Sequence, residues 1–264
     1  MEKDLIWITG ASNGIGKSMA IHYAEKGHPL ILSSRNFIKL EEVSKLCREK
    51  GAPKAVFYSL DMENPDEIEN VAHEILKKET CPKIIVHSAG ISQRSLVLDT
   101  QMEVYRRIME IDYFGLIHLS KILLPKMIEM GGGKMVVISS LVGKFSTPLR
   151  SGYSAAKHAL HGFFDALRTE HQKDNIKVCI ICPGFIKTDV SVNALTGNGK
   201  PQNEMDQAQA NGMPVDVFAR KAFKAIARNK NEVYIGGKET FGVHLNRFFP
   251  TFFRSIIIGR AKVK

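Results

Sequence analysis

The sequence predicts an α/β fold, a doubly wound parallel sheet of about seven strands with helices on both faces. Three observations predict it. Short apolar runs alternate with amphipathic stretches of helical period along most of the chain. The runs are apolar almost throughout rather than at every second residue, the mark of strands buried on both faces. The first run ends in a glycine-rich turn that opens directly into the first helical stretch.

The apolar runs cover residues 5–9, 30–33, 55–60, 84–87, 134–139, 176–182 and 233–235. Helical patterns cover 15–26, 38–50, 65–79, 102–130 with a break near 112–115, 153–172 and 214–229. Right-handed crossovers between parallel strands lay such helices on both faces of the sheet. No repeat, low-complexity segment or linker divides the chain, so residues 1–240 read as one domain. Residues 185–213 lack a clear period, and a loop of that length inside a compact domain reads as a lid over a binding site. Residues 241–264 form a basic, aromatic tail.

Composition excludes several classes. The chain has 264 residues, 44% hydrophobic and 24% charged, which suits a full core and not a disordered chain. The net charge of +10 is uneven: Arg247, Arg254, Arg260, Lys262 and Lys264 fall in the tail with no acid among them. The rest is mildly basic, which argues against a nucleic-acid face. Cys47, Cys81, Cys179 and Cys182 are scattered. Cys179 and Cys182 have a CxxC-like spacing but lie in an apolar run without partner ligands. They read as reduced core thiols, no metal site is expected, and a reducing compartment follows. The opening MEKDLIWITG has no signal-peptide core, and no apolar stretch reaches the roughly 18 residues of a spanning helix. The expectation is a cytoplasmic protein that at most touches a membrane face. Phe241, Phe248, Phe249, Phe252 and Phe253 crowd the tail. Two readings stay open for it: packing on its own sheet, a partner subunit or the substrate mouth, or interfacial contact with an anionic membrane.

The first strand ends in Thr9-Gly10-Ala11-Ser12-Asn13-Gly14-Ile15-Gly16. Gly10 permits a tight turn, Gly14 lets the backbone approach a pyrophosphate, and Gly16 lets helix and strand pack closely. The N–H groups of the helix start then face an anion. The second strand should end beside the adenosine ribose, where an acid selects NAD and a base accepts the 2′-phosphate of NADP. The sequence there is Ser33-Ser34-Arg35-Asn36, with Ser34 in place of the acid, so NADP(H) is the expected cofactor.

The fifth strand ends at Ser139-Ser140, and Tyr153 and Lys157 follow at an i, i+4 spacing that puts both on one helix face. A free tyrosine, with a pKa of about 10, is a poor proton donor at neutral pH, and a lysine ammonium beside it favours the phenolate. Ser140 is placed to bond the substrate oxygen. Tyr153 then exchanges a proton while the nicotinamide exchanges a hydride.

The TGxxxGxG turn and the Ser-Ser…YxxxK spacing resemble the short-chain dehydrogenase/reductase family. Asp189 to Ala194, Glu204-Met205-Asp206 and the RFFPTFFRS tail are similar to the dehydrogenase/reductase member 7 and 7B group, near the 11β-hydroxysteroid dehydrogenase-like branch. The resemblance implies a Rossmann-like fold and further site residues. Asp61 and Met62 would meet the adenine. Ser88, Ala89 and Gly90 would contact the ribose, although His87-Ser88 replaces the family's Asn-Asn. Pro183, Gly184, Ile186 and Thr188 would hold the nicotinamide. Ser12, Asn13 and Ile15 join the turn, and Tyr153 and Lys157 also touch the cofactor. Asp112 takes the place of the family's Asn, whose backbone carbonyl holds a water in a proton relay to the lysine; the Asp side-chain charge would act on Lys157. The implied substrates are lipophilic carbonyl compounds or secondary alcohols, such as steroids, retinoids or fatty chains. A homo-oligomer, dimer or tetramer, is implied through helices 113–130 and 153–172. Two alternatives remain: a non-catalytic NADP-binding sensor or scaffold, and a 3-oxoacyl or 3-ketosphinganine reductase.

Overall fold

The computed structural model describes residues 3–260. Seven strands form one parallel sheet: β1 (Ile6–Thr9), β2 (Leu30–Ser34), β3 (Ala55–Ser59), β4 (Ile84–His87), β5 (Gly133–Ile138), β6 (Ile176–Pro183) and β7 (Glu232–Ile235). Their order is β3-β2-β1-β4-β5-β6-β7. The chain therefore reverses direction across the sheet between β1 and β4, and a crevice opens at the carboxyl ends of the strands there. Residues of β1 pair with both neighbours, Ile6 with Leu30 and with Ile84.

Alternation along each strand divides the core in two. Ile6 and Ile8 of β1 enter the cluster on one face, with Leu30, Leu32, Val86 and Ile181. Trp7 enters the other, with Ile31, Ile85, Val137 and Ile180. Burying each such side chain contributes about 1.5–3 kcal/mol. The Trp7 indole N–H, which an apolar layer would strand, donates to Ser33 Oγ at 2.9 Å.

Helices α1 (Gly14–Glu25), α2 (Phe37–Glu49) and α3 (Pro65–Lys78) each follow an asparagine. Asn13, Asn36 and Asn64 accept from Gly14 N, Lys39 N and Glu67 N respectively. Each cap contributes about 1 kcal/mol. The α3 cap is thus Asn64, and Asp61 instead accepts from Glu63 N in the turn before it.

The expected break near 112–115 is an added residue, not an interruption. Helix α4 (Met102–Met109) passes through a π-helical turn, Glu110–Phe114, into α5 (Gly115–Glu129). A Cβ on Gly115 would run into the Met62 carbonyl oxygen, so only glycine lets α5 lie against that backbone. Helix α6 (Ser151–Glu170) then lies over β6 and buries Ala156, Leu160, Phe164 and Leu167, while Phe163 is half-buried.

The segment 185–213 has more structure than its lack of period suggests. It carries the short helix α7 (Gln207–Ala210) and isolated bridges Gln93 with Leu195 and Ile186 with Met213. Helix α8 (Val215–Ala227) follows and packs on α1. The tail folds into α9 (Phe241–Phe248) and α10 (Pro250–Arg260). Phe253 is 6% exposed and stacks edge-on against Phe145 at 4.9 Å. Phe241, Phe248, Phe249 and Phe252 point outward. Lys262 and Lys264 lie outside the described residues. No described helix is long and apolar enough to cross a membrane.

Candidate active site

A cleft of about 840 Å³ lies along the carboxyl ends of the strands. Its floor is the glycine turn. Gly10 has φ +64°, and a Cβ there would come within 2.8 Å of the Ala89 backbone. Thr9 Oγ1 accepts from both Ser88 N and Ala89 N, at 3.1 and 3.2 Å, and so ties the β1 and β4 ends together. A Cβ on Gly14 would project to 3.5 Å from Thr188, across the gap between the turn and the 185–213 segment. The first-turn N–H groups of α1 have no intrahelical acceptors and open on this gap.

At one end the cleft is lined by Ser34, Arg35, Asp61 and Met62, and at the other by Ser140, Tyr153, Lys157 and Asp112. Gly10, Ser12, Asn13, Gly14, Ile15, Gly16, Ser88, Ala89, Gly90, Pro183, Gly184, Ile186 and Thr188 line the span between. The structure thus brings every residue singled out in the sequence to one cavity.

His87 faces away from it. The ring is fully buried, its Nε2 lies 2.9 Å from Ser120 Oγ, and burial pushes its pKa down to about 3. A neutral core histidine occupies that position. Cys179 and Cys182 are buried in β6, and burial pushes the Cys179 thiol up to about 11 and Cys182 still further up.

At the chemical end, one turn of α6 separates the half-buried Tyr153 from Lys157. The Lys157 Nζ lies 5.5 Å from the Tyr153 ring centroid. Its side chain is 4% exposed and makes an ion pair with Asp112 Oδ2 at 3.0 Å, while Nζ also donates to the Ile138 carbonyl at 3.2 Å. Asp112 Oδ1 accepts from Ile91 N at 2.7 Å. The π-helical turn is what swings Asp112 inward, so the side chain, not only the backbone, faces the lysine. Burial raises the Asp112 carboxyl against the pull of Lys157. On Lys157 burial works against the ammonium, but Asp112 and Tyr153 outweigh it and the value is raised.

The model of a family described as short chain dehydrogenase matches residues 4–198. The chain belongs to the short-chain dehydrogenase family. A relative named dehydrogenase/reductase SDR family member 7B from Danio rerio is 36% identical over 269 residues, covering 99% of this chain and 87% of the relative. A solved short-chain dehydrogenase from Streptomyces avermitilis has TM-score 0.81 and 26% identity, covering 98% of this chain and 99% of that one. A short-chain dehydrogenase from Sphingobium yanoikuyae, solved in complex with NADPH, shares the fold at TM-score 0.79 and 21% identity, covering 98% and 97% of the two chains.

The dehydrogenase site holds several residues that sequence reasoning missed. Gln93 is fully buried, and its Oε1 accepts from Gly152 N at 2.7 Å and Tyr153 N at 3.3 Å. It satisfies the first turn of α6 and so fixes where Tyr153 begins. Lys39 joins Arg35 in the cleft wall from the first turn of α2. Gln209 donates to the Ile186 carbonyl and, at 3.4 Å, to Thr188 Oγ1, tying α7 to the start of the 185–213 segment. Behind Ser140 in this dehydrogenase, Ser139 Oγ lies 3.0 Å from His161 Nε2, whose Nδ1 pairs with Glu232 at 3.2 Å. The His161 contact, against some burial, holds the Glu232 carboxyl down at about 2, with Tyr234 and Lys144 helping. These polar residues sit among apolar runs, and only the tertiary fold makes them neighbours.

Proposed function

We propose that this short-chain dehydrogenase is an NADP(H)-dependent oxidoreductase acting on a lipophilic carbonyl compound or secondary alcohol. The observation that carries the proposal is Tyr153 held one turn from the buried Lys157–Asp112 pair, beside Ser140 and at the far end of the cleft from Arg35. The cleft fits a dinucleotide, because Gly14 stands where a side chain would project across the gap toward Thr188. Arg35 and Lys39 supply cations for a 2′-phosphate, and no acid stands at the end of β2. The bound cofactor would supply or take up a hydride.

The chain's own groups do the rest. Ser140 holds the substrate oxygen, and Tyr153 gives it a proton during reduction or takes one during oxidation. The Lys157 ammonium stabilises the phenolate that forms as that proton leaves, and Asp112 holds the ammonium in place. Residues 185–213 serve as the lid. Phe145, Leu245, Phe253 and Ile256 line the outer part of the cleft and favour an apolar substrate. Pairing through α5 and α6 would give the homo-oligomer.

NADPH oxidation against a panel of lipophilic ketones and aldehydes tests the reading. Arg35→Ala is expected to raise the KM for NADPH about tenfold or more while changing NADH little, the loss of one charge-assisted phosphate contact. Equal losses for both cofactors would remove the case for NADP(H).

The exposed tail supports peripheral membrane contact as a second element. Phe241, Phe248, Phe249 and Phe252 are all more than 60% exposed on α9, α10 and the residue between them, and the two helices also carry Arg247 and Arg254. Co-sedimentation with anionic vesicles should fall several-fold in a Phe248→Ser, Phe252→Ser double variant. Unchanged co-sedimentation would mean that the aromatics serve another surface.

A further inference from the structure

We infer that the substrate of this site carries an anionic group, a carboxylate or phosphate ester, seated against Arg150 and Arg94 on the substrate side of Tyr153. The inference rests on the oxidoreductase reading and narrows its substrate class from lipophilic carbonyl compounds to amphiphiles with a charged end.

Both arginines line the cleft, and both are sheltered, their side chains 21% and 8% exposed. They share one carboxylate, Asp206, which stands behind the cleft wall and does not line it. The two guanidiniums use the same oxygen, Oδ2, while Oδ1 accepts from Gln202 at 3.2 Å. Two buried cations therefore face the cavity over one anion, leaving one positive charge in excess.

The two arginines are not equally engaged. Arg94 is the more engaged, with four of its five N–H donors used: Nε and Nη2 donate to Asp206 at 2.8 and 2.6 Å, and Nη1 donates to Ser92 Oγ and the Gln93 carbonyl. That arrangement clasps the lid. Arg150 adds a long contact to the same Oδ2 at 3.3 Å and one to Thr147 Oγ1 at 3.2 Å. A clasp already closed by Arg94 gains little from a second cation on one oxygen. Burial, and then the Arg94 charge, push the Arg150 guanidinium down to about 10, with Asp206 only partly offsetting them. The site is short of negative charge, and a ligand anion would supply it.

Position supports the same occupant. Arg150 precedes α6 by one residue and Tyr153 by three, and both side chains line the same cleft. Another stretch of the cleft lining is apolar, with Phe145, Phe253 and Ile256. One charged end and an apolar body match these two stretches.

The test is calorimetric titration of the NADPH-loaded full chain with decanoate, decyl phosphate and 1-decanol. At least one anion is expected to bind about tenfold or more tightly than the alcohol, and Arg150→Met should bring that ratio close to one. The two anion arms distinguish carboxylate from phosphate recognition. Equal binding of anions and alcohol by the wild type overturns the inference, as does an anion preference that survives in Arg150→Met. Should Arg150→Met not fold, Asp206→Asn decides by sign: removal of the competing carboxylate tightens anion binding if the arginines are a ligand seat, and weakens it if they only fasten the lid. Binding is read without turnover, so a chain that prefers the anion yet reduces nothing fails the oxidoreductase reading and not this one.

Discussion

Tyr153→Phe is expected to lower kcat by about 10²–10⁴-fold with NADPH affinity nearly unchanged, the size of a lost general acid–base contribution. The variant removes one oxygen and little else. The ring stays under the Lys157 ammonium, 5.5 Å from its centroid, and the backbone N–H still meets Gln93. The fold therefore has no reason to change, and NADPH binding, followed by its fluorescence, separates loss of chemistry from loss of the site. Single-turnover reduction of a ketone is the direct measurement. A variant that retains turnover within a few-fold would assign the proton to another donor and leave Tyr153 a positioning role.

Asp112→Asn is expected to have the second-largest effect, on stability and on pH dependence together. The substitution keeps the shape and an acceptor for Ile91 N, but leaves the Lys157 ammonium buried without a counter-charge. Breaking a buried pair from one side costs about 3–5 kcal/mol. In the wild type Lys157 is raised above its ordinary value, so the stability it contributes is fully present below the unfolded lysine value and is lost as pH rises through the higher folded one. Without Asp112, burial acts with less opposition and the Lys157 value falls. The alkaline limb of the rate profile should then move to lower pH, because the charged lysine disappears sooner. At the acid end the raised Asp112 carboxyl takes up a proton as pH falls through its value and becomes uncharged, as Asn is. That proton uptake adds folded-state stability which the Asn variant lacks, so the gap in melting temperature should not narrow toward acid pH. Parallel thermal melts and kcat/KM profiles across the accessible pH range check both limbs. An unmoved alkaline limb would show that the pair is structural only.

Much of this fold was legible because its signals are local. Seven buried strands announce themselves as apolar runs, and Asn13, Asn36 and Asn64 mark three helix starts within a few residues of each. The glycine turn and the Tyr153–Lys157 spacing are likewise local, and the cleft gathers all of them. What stayed hidden depends on residues far apart in the chain. Gln93 reaches residue 152, Arg94 reaches 206, and His161 reaches Glu232. A polar residue between apolar ones gives no hint of the partner that will satisfy it. Asp112 was visible as a position but not as a contact. A helical period assumes uniform winding, and the π-helical turn at Glu110–Phe114 shifts the phase by one residue there. Segment 185–213 was visible only as a missing period, since it is held by isolated bridges, Ile186 with Met213 within it and Leu195 with the distant Gln93.

The wall formed by α9 and α10 has a further consequence for the order in which the protein is made. The dinucleotide crevice needs β1 to β6 and is complete once residue 188 has emerged. The side chains of Leu245, Phe253 and Ile256, which close the outer cleft, are added only after the whole sheet has been synthesised. The glycine-turn end of the cleft and its apolar outer wall are therefore completed at different times and by different segments of one chain. Variation in the last twenty residues can reshape that wall without touching the glycine turn at the other end.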